Sequence, residues 1–247
     1  MNLFKHRQPD IPEISRAELQ KETEQISRSR IRIKTAGLIL AILLLIGLGA
    51  LATSAMAANA RSFPIMMSPY MPEEASISLS ATPDFEEPTV HLDAPIRTGF
   101  TNISGFSIPS DVDGEEWGSH NGEDYIAYTF FIRNNGEKDI DLAEKMNVTD
   151  SGQGADGAVR VRIYRDGTDT CYARLAAAGV PEVETVPFQE EDCVFDVVNT
   201  LAAGQQRRYT IVIWLEGDDP DCTDEIKGGT VRFSMEFSAA EQLQKKE

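Results

Sequence analysis

Histidine and cysteine are scarce in this 247-residue chain, with three of each. An odd and small number of cysteines excludes a disulfide framework. Three histidines leave little for a catalytic zinc site, which takes about three protein ligands, mostly His and carboxylate, and no HExxH occurs. Positive charge is short as well. Lys and Arg number 23 against 40 Asp and Glu, for a net charge of −17. Nucleic-acid surfaces need clustered cations to displace counterions, so that class of partner is excluded. Long helical periodicity is missing beyond Thr98, which speaks against a helical domain.

One run lacks charge altogether, from Ala36 to Ala58. Its length suits a helix crossing a hydrocarbon core of about 30 Å, and it has no polar face of the kind a buried core helix shows. Arg28, Arg30, Arg32 and Lys34 stand just ahead of it, whereas residues 35–247 hold 15 basic and 35 acidic side chains. The positive-inside rule then places the N-terminus in the cytoplasm and the C-terminal domain outside the cell. Residues 1–34 read as a basic helical leader, with Ser15 and Glu18 at capping-box spacing. Cleavage is the alternative. Ala55-Met56-Ala57 and Ala58-Asn59-Ala60 both have the small-x-small form of a signal-peptidase site, with cuts after Ala57 or Ala60. The leader is long for a signal peptide, which favours a retained anchor in 35–58.

Six prolines between residues 59 and 97 (Pro64, Pro69, Pro72, Pro83, Pro88 and Pro95) forbid long regular elements and read as an extended stalk. Within it, Ala75–Ala81 alternates apolar and polar. Ile77 and Leu79 are expected to dock on a sheet edge, either within one molecule or between neighbours, and a membrane tether favours the first.

From Thr98 to Ala240 the pattern is β, and 241–247 is a charged tail. Val159, Val161 and Ile163 alternate with Arg160, Arg162 and Tyr164; Val231, Phe233, Met235 and Phe237 alternate with Arg232, Ser234, Glu236 and Ser238. Each reads as a half-buried antiparallel strand. Tyr125–Asn134 and Tyr209–Glu216 are apolar on both faces and read as central strands. Residues 134–137 and 165–169 carry turn chemistry, the second as a hairpin. Residues 172–179 suggest two turns of helix ending at Gly179. The sum is an all-β ectodomain, an immunoglobulin-like or jelly-roll antiparallel sandwich. Tyr209 after Leu201 and Gly204 is placed like a tyrosine corner, its hydroxyl returning to backbone.

Three segments carry a resemblance: "GSHNGEDYIAYTFFIRNNGEKDIDL" (118–142), "AVRVRIYRDGTDTCYAR" (158–174) and "YTIVIWLEGDDPDCTDEIKGGTVRFSMEF" (209–237). Together they resemble a group of single-span cell-surface proteins of clostridia-like Gram-positive bacteria, which is distantly similar to the TasA/camelysin family. The resemblance implies an extracytoplasmic sandwich. TasA-like members build biofilm-matrix fibres once the leader is removed, and camelysin-like members are classed as metallopeptidases. The long leader and the proline-rich segment depart from a released fibre subunit.

A peptidase needs a metal. His6 is on the cytoplasmic side and His91 is in the proline-rich segment, which leaves His120 with Glu123 or Asp124. A polar loop histidine is the plainer account. Calcium wants several oxygens from a tight turn. Asp111 and Asp113, with Glu115 and Glu116, form one such loop, and Asp218, Asp219 and Asp221 form another; neither completes an EF-hand. Acidic loops are expected on so acidic a chain, so no cofactor is expected, and calcium is the ion these loops could hold. Cys171 and Cys193, about 21 residues apart, are the candidate disulfide pair. Cys222 lies among acids, which disfavour a thiolate, so it reads as a small buried residue tucking its turn onto the sandwich. Trp214 reads as sandwich core. Asn102 and Asn147 head sequons that matter only in a eukaryotic secretory pathway. The leading expectation is a membrane-anchored surface protein with a structural or interaction role and no catalysis. A secreted TasA-like fibre subunit and a camelysin-like metallopeptidase are the alternatives.

Overall fold

The computed structural model describes Leu44 and residues 62–71, 76–96, 98–114, 116–176 and 178–240. The chain divides into two units, Met1–Ala60 and Arg61–Glu247. The expected leader (1–34), the span (35–58, apart from Leu44, which is helical), the cleavage points at Ala57 and Ala60 and the tail (241–247) lie outside the described residues. Among the described residues no helix is long and apolar enough to cross a membrane.

The second unit is all β, with two sheets. Its strands are β1 (Ser62–Met67), β2 (Ile77–Ser80), β3 (His91–Pro95), β4 (Gly118–Ser119), β5 (Tyr125–Asn134), β6 (Ile140–Ser151), β7 (Val159–Arg165), β8 (Thr168–Ala173), β9 (Val186–Pro187), β10 (Cys193–Leu201), β11 (Gln206–Leu215) and β12 (Val231–Ala239). One sheet runs β10-β6-β12-β1-β3. The other runs β2-β5-β11-β7-β8-β9, with β4 also on β5. Pairing is antiparallel except for β1 with β12 and β8 with β9, which are parallel. The antiparallel expectation is corrected to that extent.

The stalk is a larger correction. Three strands lie within 59–97, so the folded unit begins near Ser62 rather than Thr98. The prolines do forbid long elements, but these strands are only four to six residues long and fit between them. Pro64 lies within β1, but the ladder to β12 starts only at Ile65. Phe63, Ile65 and Met67 alternate into the core. Ile77 and Leu79 are buried where β2 pairs with Ile132 and Asn134 of β5, so that segment docks within the molecule.

Alternation holds elsewhere as expected. Val159, Val161 and Ile163 of β7 and Phe233, Met235 and Phe237 of β12 meet in one core between the sheets. There Phe130 stacks on Tyr209 at 5.1 Å, with Phe237 edge-on to both. The β7–β8 hairpin turns on Asp166 and Gly167, with φ of 50° and 85°, the left-handed pair of a type I′ turn. At the end of β5 the Asn134 carboxamide accepts from Gly136 N–H and donates to the Lys138 and Leu201 carbonyls, turning the chain into the other sheet. The helix expected at 172–179 is absent. Tyr172 and Ala173 belong to β8, where Tyr172 is buried against Phe195, and irregular chain follows.

β5 and β11 are apolar on both faces because both faces are covered. The side away from the main core carries a second cluster of Ile108, Val112, Ala127, Val212 and Trp214. Its cover is the 98–118 loop, stitched down where Ile103 N–H donates to Leu215 O (3.0 Å) and Gly217 N–H to Ile103 O (2.8 Å). Gly105 makes the approach feasible, since a Cβ there would sit 3.0 Å from both Trp214 and Glu216. Trp214 therefore belongs to this outer cluster and not to the core between the sheets.

Candidate functional site

β6 alternates Leu142, Glu144 and Met146 toward the core, which places a carboxylate where a hydrophobic residue is the norm. Glu144 is fully buried. Isolated, that charge would be very costly, so it has to be surrounded by donors. Four converge: Arg165 Nε (2.7 Å), Tyr209 OH (2.7 Å), Asn199 Nδ2 (2.9 Å) and Arg207 Nη1 (3.5 Å). They come from β7, β11, β10 and β11. Arg165 continues the inward row of Val161 and Ile163; Arg207 continues that of Tyr209 and Ile211. Tyr209, Asn199 and Arg207 donate to Oε1 and Arg165 to Oε2, so both oxygens are engaged. The Arg165 guanidinium also lies 5.0 Å over the Phe195 ring. Burial, and then the charge of Glu144, pushes the Tyr209 phenol well above its ordinary value.

This cluster corrects the tyrosine-corner expectation. The Tyr209 hydroxyl goes across the interior to a carboxylate of the opposite sheet and not to backbone. Chemically the cluster is a staple. Both oxygens of Glu144 are taken and it is sealed from solvent, so it is unsuited to act as a general base.

The residues singled out in the sequence lie elsewhere and do not converge. Asp113 accepts from Thr210 Oγ1 (2.6 Å) and lies 2.7 Å from Arg208 Nη2. The same guanidinium donates to the Asp113 and Gly114 carbonyls, so an arginine occupies the place a cation would take. Asp111 is exposed. In the second turn, Asp219 Oδ2 lies 2.5 Å from Arg160 Nη2, a charge contact between two buried side chains, with Glu182 3.6 Å from the same nitrogen. Asp219 Oδ1 accepts from Asp221 N–H (2.8 Å), and Asp218 is exposed. Among the described residues no three His, Cys, Asp or Glu side chains gather as a metal site.

His120 holds its loop with both ring nitrogens, 3.1 Å from Gly118 O and 3.1 Å from Val112 O. Asp124 accepts from Thr101 N–H (2.8 Å). His120 and Asp124 are thus engaged with backbone, in keeping with a polar loop histidine. His91 lies on β3, 3.1 Å from Asp93.

All three cysteines are free thiols. Cys171 points to the outer cluster of one sheet, because Tyr172 beside it takes the inward position, and Cys193 opens β10 of the other sheet. That parity separates the expected disulfide partners. Burial pushes both thiols up, opposed at Cys171 by Arg162 and at Cys193 by Lys145. Cys222 is half-buried rather than buried, and its Sγ accepts from Asn102 Nδ2 (3.3 Å), tying the Asp-rich turn to the covering loop. Trp214 Nε1 donates to Glu216 Oε2 (2.9 Å), which also accepts from Gly105 N–H (3.0 Å). Arg162 lies 5.1 Å over the Trp214 ring.

The Glu144 cluster went unnoticed in the sequence, although the signal was present. Leu142-x-Glu144-x-Met146 places the acid on an inward face, and the rows of β7 and β11 both end in inward arginines.

No protein-family model and no curated protein matches the chain. Among solved structures, the chain aligns to two of the β-glucosidase from Kluyveromyces marxianus. The glucose complex shows 11% identity and a TM-score of 0.25 over 66% of this chain and 16% of that one. The selenomethionine-labelled form shows 13% and 0.26 over 71% and 19%. The chain thus spans less than a fifth of those enzymes, and a likeness at this level carries no argument.

Proposed function

We propose that this chain is a non-catalytic cell-surface protein, an immunoglobulin-like or jelly-roll β domain held outside the membrane by one span, with a structural or interaction role. The observation that carries the reading is the uncharged run from Ala36 to Ala58 with four basic residues just ahead of it and an acidic remainder behind. The chemistry of the folded unit agrees with a passive role. Its buried acids Glu144 and Asp219, and the nearly buried side chain of Asp113, each lie against an arginine, and His120 is engaged with backbone. A camelysin-like metallopeptidase would have to draw its ligands from such groups, so these contacts favour the non-catalytic reading. The test is protease added to intact, wall-stripped cells, followed by fractionation. Residues 62–240 should be digested and the N-terminal leader spared in the membrane fraction. A protected C-terminal domain reverses the topology.

One observation favours a second reading, a secreted subunit. β1 begins at Ser62, so a cut after Ala57 or Ala60 would leave every strand of the domain intact. N-terminal sequencing of the cellular protein separates the two: an anchor retains a start near Met1, whereas a released subunit starts at Ala58 or Arg61.

A further inference from the structure

β10 is an outer strand of its sheet, and nine residues is long for an edge. An open edge recruits other strands, because alternate N–H and C=O groups face outward. Along β10 some of those groups are occupied. Val194 O accepts from Gln189 N–H (3.4 Å) and Thr200 O from Arg207 Nη2 (3.1 Å). At Asp196 the occupant is the Gln189 carboxamide. Its Oε1 accepts from Asp196 N–H (2.8 Å), and its Nε2 donates to Asp196 O (3.2 Å). This is the two-bond exchange that a residue of an adjoining antiparallel strand would make. Val198 comes two residues later, past the bulge at Cys193/Phe195, so alternation turns its backbone groups outward too. They have no partner among the described residues, and its side chain is 53% exposed.

We propose that the outer edge of β10 is a self-pairing surface, and that Gln189 is the intramolecular cap that keeps it closed. The occupant it fits is the β10 of a second copy, running antiparallel about Val198. In that register Val198 faces Val198 and Asp196 faces Thr200, so no carboxylate opposes another in spite of the acidic composition. Lys145 stands 3.7 Å from Asp196 and further offsets its charge. Gln189 is exposed, so its side chain can swing off without disturbing the core. Arg207 need not leave, because the Thr200 carbonyl has a second lone pair. The pairing would join two five-stranded sheets into one. It deepens the interaction role proposed above, and the geometry itself does not depend on membrane anchoring.

The test uses the full-length chain in mild detergent, with mass read by light scattering and sedimentation velocity. Gln189→Ala should lower the dimer dissociation constant at least tenfold relative to wild type. Adding Val198→Pro should restore the wild-type value, because proline is tolerated where an edge N–H faces outward and blocks strand addition there. With Val198→Cys in the Gln189→Ala chain, mild oxidant should give a 198–198 disulfide, since Cα atoms in such a pair stand about 5.5 Å apart. Should Gln189→Ala lose its melting transition, Gln189→Glu sets an oxygen against Asp196 O and opens the edge in its place. Wild-type mass for the cap variant, or a dimer that Val198→Pro fails to dissolve, overturns the proposal. Membrane fractionation of the same variants reads the anchoring separately, so either idea can fail without the other.

Discussion

Tyr209 on β11 donates its hydroxyl across the core to Glu144 on β6 at 2.7 Å, joining the two sheets through a polar bond inside an apolar interior. Removing the acid takes from Arg165 and Arg207, whose side chains are 17% and 13% exposed, the carboxylate they share, and leaves Arg207 with Asp166 as its acidic partner. Glu144→Ala should cost about 3–5 kcal/mol, and Tyr209→Phe, which removes one of the donors on Glu144 Oε1 and leaves Asn199 and Arg207 there, about 1–3 kcal/mol. Urea unfolding with a double-mutant cycle measures both and their coupling. An additive cycle would mean that the staple is not a unit.

The same contact sets an alkaline limit. The Tyr209 phenol is held above its ordinary value by burial and then by Glu144, so the folded chain keeps that proton longer than the unfolded chain. Its contribution to stability is complete below a pH of about 10, the unfolded phenol value, and is lost as pH rises toward the folded value. Tyr209→Phe should flatten the fall in stability above that point. Tyr128 is raised in the same direction by burial and serves as the comparison. Identical alkaline slopes in wild type and Tyr209→Phe would remove Tyr209 as the cause.

Thiol chemistry should follow the free cysteines. Reductant should leave the melting temperature unchanged, whereas a Cys171–Cys193 bridge would contribute about 3 kcal/mol that reduction removes. Under native conditions Cys193, 3% exposed, should resist alkylation, and the half-buried Cys171 and Cys222 should react first.

The proline-rich segment should behave as structure. Leu79 is fully buried, so Leu79→Ala should cost about 2–5 kcal/mol. A chain begun at Thr98 loses β1 and β3, which extend the sheet beyond β12, and β2 from the side of β5, and should show no cooperative melt. Equal melting temperatures for chains begun at Arg61 and at Thr98 would return the segment to a linker.

Arg208 pins the covering loop through Asp113 and Gly114. Arg208→Ala should speed hydrogen exchange through residues 105–114 and cost about 1–3 kcal/mol, while exchange in β12 stays slow. Equal exchange in the loop would show that its apolar contacts alone hold it down.

Period-two alternation by itself determined which residues of β7 and β12 face inward, because a strand's side chains have no other choice once one face is buried. It marked β5 and β11 as doubly covered, and the Asp166-Gly167 turn required left-handed backbone that few other pairs adopt. Composition misled at the prolines: it limits element length, and three short strands satisfy that limit as well as a stalk does. Only the tertiary structure decided what lay across the gap between elements. It sent Tyr209 to Glu144, set Asp113 and Asp219 against arginines and turned Cys171 and Cys193 onto different sheets. Each depends on which strand lies beside or opposite another. That is settled by long-range packing between segments tens of residues apart, and local pattern carries no record of it.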